Sequence, residues 1–109
     1  MYLLIFYVPE ADCETVKSAL FNAGAGQIGN YDHCAWQVIG KGQFRPLKNS
    51  DAFIGEIDKL EKLAEYRVEM VCEKKNIKAI LKTLLENHPY ETPAYSVIEI
   101  KTLADFDGI

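Results

Sequence analysis

The chain opens on an unbroken apolar run, Tyr2-Leu-Leu-Ile-Phe-Tyr-Val8, and most of the remaining sequence alternates between helical and strand-like patterning. A strand that is apolar at every position has no face to give to water, so this run is expected at the centre of a sheet covered on both sides. After Pro9, Asp12 stands where a helix would be capped, and Val16, Ala19, Leu20 and Ala23 recur at i, i+3, i+4 and i+7 before Gly24 ends the pattern. Ile77, Ile80, Leu81, Leu84 and Leu85 form a second, wider helical stripe, stopped ahead of Pro89. Between the helices, Tyr31 to Phe44 carries Cys34, Trp36 and Val38 in alternation, and Tyr66 to Cys72 sets Val68, Met70 and Cys72 against Arg67 and Glu69. Both stretches predict strands. A last strand is expected from Ala94 to Ile100, with Ser96, Ile98 and Ile100 on one face and Tyr95, Val97 and Glu99 on the other.

The resulting order, β-α-β-β-α-β, is the ferredoxin-like split βαβ pattern: an α+β two-layer sandwich in which two helices cover one face of a four-stranded antiparallel sheet. Residues 45–65 admit two readings. Pro46, Asn49, Ser50, Asp51 and Gly55 signal a loop in a long β2-β3 hairpin extension, whereas Ile57, Leu60, Leu63 and Ala64 have the spacing of a short helix. The pattern supports one domain over 1–102 and a C-terminal tail over 103–109. Two layers leave one sheet face bare, and the first strand has no polar face to offer. A homo-oligomer is therefore expected, because copies of the chain are the simplest cover for so broad an apolar surface.

Length and composition narrow the picture. A chain of 109 residues, 49% of them hydrophobic, can form a single core. Sixteen acids against twelve scattered Lys and Arg argue against a nucleic-acid footprint. The opening run has no basic leader and meets Pro9, Glu10 and Asp12 at once, which fits neither a signal peptide nor a membrane span and leaves the cytoplasm as the expected location. Cys13, Cys34 and Cys72 are odd in number and widely spaced, so a disulfide framework or zinc knuckle is not expected. Cys34 and Cys72, in the apolar phase of their strands, are read as buried thiols.

Candidate chemistry concentrates in His88-Pro-Tyr-Glu-Thr-Pro-Ala-Tyr95. Each proline fixes its own φ and drives the residue before it toward extended geometry, so Tyr90 and Glu91 are presented stiffly. His88, Tyr90 and Glu91 read either as a structural turn or as a ligand or partner contact, with Arg45 and Arg67 as counter-ions for Glu91. Gly24-Ala-Gly26-Gln-Ile-Gly29 has the letters of a dinucleotide fingerprint but lies between a helix and a strand, the reverse of the order that motif needs, and is read as a helix cap and turn. His33, Cys34, His88 and Glu91 supply the ligand types a divalent metal would take; surface or interface histidines are the alternative. Tyr31 and Trp36 are read as core or interface aromatics rather than a base-stacking platform.

Gly24-Ala-Gly26-Gln-Ile-Gly29-Asn-Tyr31-Asp-His-Cys34-Ala-Trp36, Gly40-Lys-Gly42-Gln-Phe44-Arg-Pro46, Tyr66-Arg-Val-Glu69-Met-Val and the His88-to-Tyr95 segment succeed one another along nearly the whole chain. Together they resemble the PII-like insert of the dinuclear metal-centre hexameric proteins, also called GTP cyclohydrolase I type 2-like or NIF-three-like. The His-Pro-Tyr-Glu-x-Pro segment is also similar to the closing motif of CutA proteins, which are trimers of this architecture. The resemblance implies a CutA-like or PII-like subunit assembling as a trimer about a threefold axis, without the metal-binding halves that carry any hydrolase activity in the larger family members. The expected function is a non-enzymatic cytoplasmic regulatory or interaction module. It would bind a small ligand between subunits near Tyr31, His33, His88, Tyr90 and Glu91, or an as yet unidentified protein partner. A divalent, copper-type metal-binding protein of the CutA kind is the alternative, and a metal-dependent hydrolase a third reading; no other cofactor is expected.

Overall fold

The computed structural model describes residues 1–108. Strand β1 spans Tyr2–Pro9, helix α1 Cys13–Asn22, β2 Trp36–Phe44, β3 Glu61–Cys72, helix α2 Ile77–Asn87 and β4 Tyr95–Glu99. The sheet runs β2-β3-β1-β4 with every neighbour antiparallel, the ferredoxin-like arrangement that the hydrophobic pattern predicts. The wholly apolar β1 is indeed central, between β3 and β4.

Alternation along β1 separates two jobs. Leu4, Phe6 and Val8 face the helices and are fully buried, with Val68 and Met70 beside them on β3 and Val16, Leu20, Ile80 and Leu84 packed over them from α1 and α2. Leu3, Ile5 and Tyr7 point the other way. Register puts them beside Val71, Glu69 and Arg67 on β3 and next to Ile98 and Ser96 on β4. Trp36 and Val38 join this open face opposite Glu69 and Arg67, so they lie on the other side of the sheet from Val68 and Met70. No helix covers this face: Ile98 and Trp36 are 47% and 59% exposed, Ile5 between them is buried, and Arg67, Glu69 and Ser96 interrupt the apolar surface.

Both helices start without a side-chain cap. Asp12 occupies the cap position of α1 but makes no capping hydrogen bond, and a 3-10 turn over Glu10–Asp12 leads in instead. Helix α1 ends in a Schellman motif, with Ala25 N–H donating to Leu20 O and Gly24 N–H to Phe21 O while Gly24 adopts φ +104°. Helix α2 ends where Pro89 demands it: His88 is already extended, at ψ 135°. Its buried stripe is narrower than its sequence suggests, since Leu85 is exposed.

Residues 45–60 form a loop, closed by Asp58 N–H donating to Pro46 O, and no helix forms there. Of the residues with helix-like spacing, Ile57 and Leu60 stay in the loop, and Leu63 and Ala64 fall in β3, which begins at Glu61 rather than Tyr66. Strand β2 is correspondingly shorter than expected, starting at Trp36 because residues 26–34 are tied into a turn. In the tail, a 3-10 turn over Leu103–Phe106 carries a Thr102–Asp105 capping box and leaves Leu103 exposed; Ile109 lies outside the described residues. No helix among the described residues is long and apolar enough to cross a membrane.

Candidate functional site

The stiff segment after α2 folds back across the end of β1 and is fixed there by His88. The His88 ring is buried, its Nδ1 accepts the Tyr90 N–H at 3.1 Å, and the proton on Nε2 is donated to Tyr7 O at 2.6 Å. Both ring nitrogens are committed to backbone, and burial holds the imidazole below its ordinary pKa, against the opposing pull of the Tyr7 carbonyl and Glu65. A folded-state pKa below the unfolded one means that the unfolded chain binds the proton more readily. The stabilisation is fully present above about pH 6.5 and is lost as the pH falls through the depressed folded value. Urea midpoints are therefore expected to drop between pH 7.5 and 5, with a shallower drop in His88→Gln. Equal slopes in the two proteins would remove His88 as the cause.

Tyr90 reaches from this clamp to β3, where its hydroxyl donates to Glu65 Oε2 at 2.6 Å, and its ring meets Phe44 edge-on at 5.7 Å. Burial and the adjoining Glu65 carboxylate push the Tyr90 hydroxyl well above the usual phenol range, so it stays protonated and donates. Glu65 lies where it does because β2 has no side chain in the way: a Cβ at Gly42 would fall 1.6 Å from Glu65 Oε1. Glu91 Oε2 accepts the Asp51 N–H at 3.0 Å and ties the turn to the 46–54 loop.

These contacts enclose one side of a cavity of about 370 Å³. Phe44, Pro46, Phe53 and Ile54 supply apolar wall; Ser50, Glu65, Tyr90 and Glu91 supply polar groups. Ser50 also holds a buried hydroxyl with no hydrogen-bond partner among the described residues. Glu65, Phe44 and Ser50 are not among the site candidates that the sequence offers; the readable signal was the Gly40-x-Gly42 pair, which faces β3 just where Glu65 sits.

The other candidate residues gather elsewhere. Tyr31 is exposed in the turn, where it exchanges backbone hydrogen bonds with Ile28. His33, at φ +55°, packs at a tilt against Phe21 with ring centroids 4.6 Å apart and contacts Asp32 at 3.2 Å. Gly26 N–H donates to Val71 O, which anchors this turn at the end of β1 marked by Leu3, four residues from Tyr7 or about 13 Å along the strand. Tyr31 and His33 are thus not brought to Tyr90 within a subunit. Gly26 itself, at φ +78° and with space for no Cβ against Cys34 O, serves this turn rather than a phosphate. Arg67 pairs with Glu69 at 3.3 Å, and Arg45 is exposed; neither meets Glu91.

The four candidate metal ligands do not fit a metal ion within one subunit. His88 has no free nitrogen, His33 and Cys34 stand at the far end of the sheet from Glu91, and no group of three His, Cys, Asp or Glu among the described residues could hold one. Cys34 precedes β2 and is half-buried, so its reading as a buried strand thiol is corrected. Cys13 and Cys72 are the buried thiols, and burial pushes Cys72 up to about 11.

No protein-family model matches the chain. The GTP cyclohydrolase 1 type 2 homolog of Bacillus subtilis (strain 168) is 44% identical to it over 98 residues, covering 90% of this chain and 26% of that protein. This chain is homologous to one segment of those proteins. A second of these homologs, from Mycobacterium tuberculosis (strain ATCC 25618 / H37Rv), is 40% identical over 96 residues, covering 88% of the chain and 25% of that protein. The chain thus spans about a quarter of the length of the GTP cyclohydrolase 1 type 2 homologs it matches. The crystal structure of a Bacillus cereus protein related to NIF3 superposes with a TM-score of 0.78 at 33% identity, over 93% of this chain and 26% of that one. The PII-like protein CutA from Nostoc sp. PCC 7120 shares the fold, with a TM-score of 0.68 at 16% identity over 97% of this chain and 89% of that one. The resemblance to NIF-three-like proteins is therefore sound in both sequence and fold, and the resemblance to CutA/PII-like proteins in fold.

Proposed function

We propose that this segment is a regulatory or interaction module that assembles with copies of itself as a trimer, binds a small molecule beside Tyr90, and catalyses no hydrolysis of its own. One observation carries the reading: the cavity is lined by Tyr7, Gly42, Phe44 and Glu65, which belong to the same open sheet face as Leu3, Ile5 and Ile98. Assembly through that face puts the cavity at the rim of a subunit boundary, a common place for ligand sites. Three copies cover three open faces around one axis with a single repeated contact.

The local chemistry supports binding over turnover. The Tyr90 hydroxyl keeps its proton and His88 has both nitrogens bonded to backbone, so neither can serve as the base for a nucleophile. Free thiols at all three cysteines accord with a reducing cytoplasm. The cyclohydrolase name is borne by proteins of which this chain matches about a quarter, and on this reading their chemistry belongs to the remainder. Native mass spectrometry of untagged protein tests the assembly: the mass of three chains is expected, and the mass of one chain at micromolar concentration would overturn it.

A further inference from the structure

We propose that the cavity beside Tyr90 takes a cationic ligand, a protonated amine carried on an apolar or aromatic body, and turns anions away. This rests on reading the cavity as a ligand site and adds the chemical class of its occupant. The walls supply the body's environment, because Phe44, Pro46, Phe53 and Ile54 are apolar and a volume of about 370 Å³ is at the small-ligand end of known sites. Among the described residues no lysine, arginine or histidine lines it, while Glu65 and Glu91 both do.

Each carboxylate has capacity to spare. An ionised carboxylate offers about four lone-pair positions; Glu65 accepts from Tyr90, and Glu91 accepts from Asp51 N–H. An ammonium group has donors only, so it matches two underused acceptors, whereas a phosphate or carboxylate would meet like charge with no counter-ion. The buried Ser50 hydroxyl, without a partner among the described residues, is a third polar group at the same wall. The local field has the same sign: Glu65, Asp12 and Glu61 all act to hold the proton on Tyr90. Lys41 and Arg67 line a neighbouring hollow that shares Tyr7, Gly42 and Glu65 with the cavity, and Arg67 is already paired with Glu69; Arg45 and Lys48, in the loop beside the cavity, are exposed and do not line it.

Backbone amide shifts of the intact ¹⁵N-labelled protein test this against matched probes: tryptamine and phenethylamine, their carboxylate counterparts indole-3-propionate and 3-phenylpropionate, and AMP. The amines are expected to shift the Gly42, Ser50 and Tyr90 amides saturably and the anions to leave them in place. Glu65→Gln, which keeps an acceptor for Tyr90, is expected to weaken amine binding by about tenfold. The exposed Glu91→Gln supplies a second reading should Glu65→Gln fold poorly. Anions shifting the same amides as strongly as the amines would overturn the charge class while leaving a ligand site in place. Amine binding unchanged in both variants would likewise overturn it. Shifts from none of the probes would remove the ligand site itself.

Discussion

Phe6→Ala is expected to remove about 3–5 kcal/mol of folding stability. Phe6 is fully buried at the middle of β1, on the helix-facing side between Val68 and Tyr95. Truncation there would lose the transfer free energy of the ring and leave a cavity that two strands and two helices cannot close together. Domains of this size are stable by only about 5–15 kcal/mol, so the variant should be largely unfolded well below the wild-type melting temperature. Urea denaturation followed by circular dichroism measures it. A loss below about 1 kcal/mol would show that the core does not close around Phe6.

Ile98→Asp is expected to break the assembly while leaving the subunit folded. Ile98 lies on the open face beside Leu3 and, one strand further, Val71; at 47% exposure its replacement costs an isolated subunit little. Buried between copies, the new carboxylate would have no partner, at a cost of several kcal/mol for each contact. Sedimentation velocity should show the mass of a single chain with unchanged circular dichroism. An unchanged oligomer would place the interface on another surface.

The strand pattern carried the fold because β1 is apolar throughout, which points to a central strand, and β1 does lie between β3 and β4. The two helical stripes were equally plain, since Val16 and Leu20, and Ile80 and Leu84, do point into the core. Periodicity left residues 45–65 open between a hairpin extension and a short helix, because Ile57, Leu60, Leu63 and Ala64 match a helix by spacing; the structure takes the hairpin, with Gly55 in a loop closed onto Pro46. Pairing with β2 then decides the conformation, and pairing is not visible in a local window. The same blindness put Trp36 and Met70 in similar alternating runs without revealing that they face opposite sides of the sheet.

The candidate site was legible in part. The prolines flanking Tyr90 and Glu91 signalled a stiff presentation, and the structure keeps that turn in place through His88. Glu65 could not be found from the same segment, because it comes from the neighbouring strand and reaches Tyr90 only across the space left by Gly42. His33 and Cys34 looked like partners of His88 and Glu91 by residue type alone. Strand register, which separates the two groups along the sheet, contradicts that grouping within a subunit.

The central position of β1 also governs the order in which the chain can fold. Its Tyr2 pairs with Cys72 on one side and Glu99 on the other, so the most apolar strand is made first and completed last. Helix α1 can form locally, but it has no finished surface to pack on until β3 has been synthesised. At about 5–20 residues per second, the β1 segment waits several seconds with its apolar side chains unshielded. Such long-range pairing makes folding slow, and it makes the interval before β3 and β4 arrive the one in which the nascent chain is most prone to aggregate or to need a chaperone.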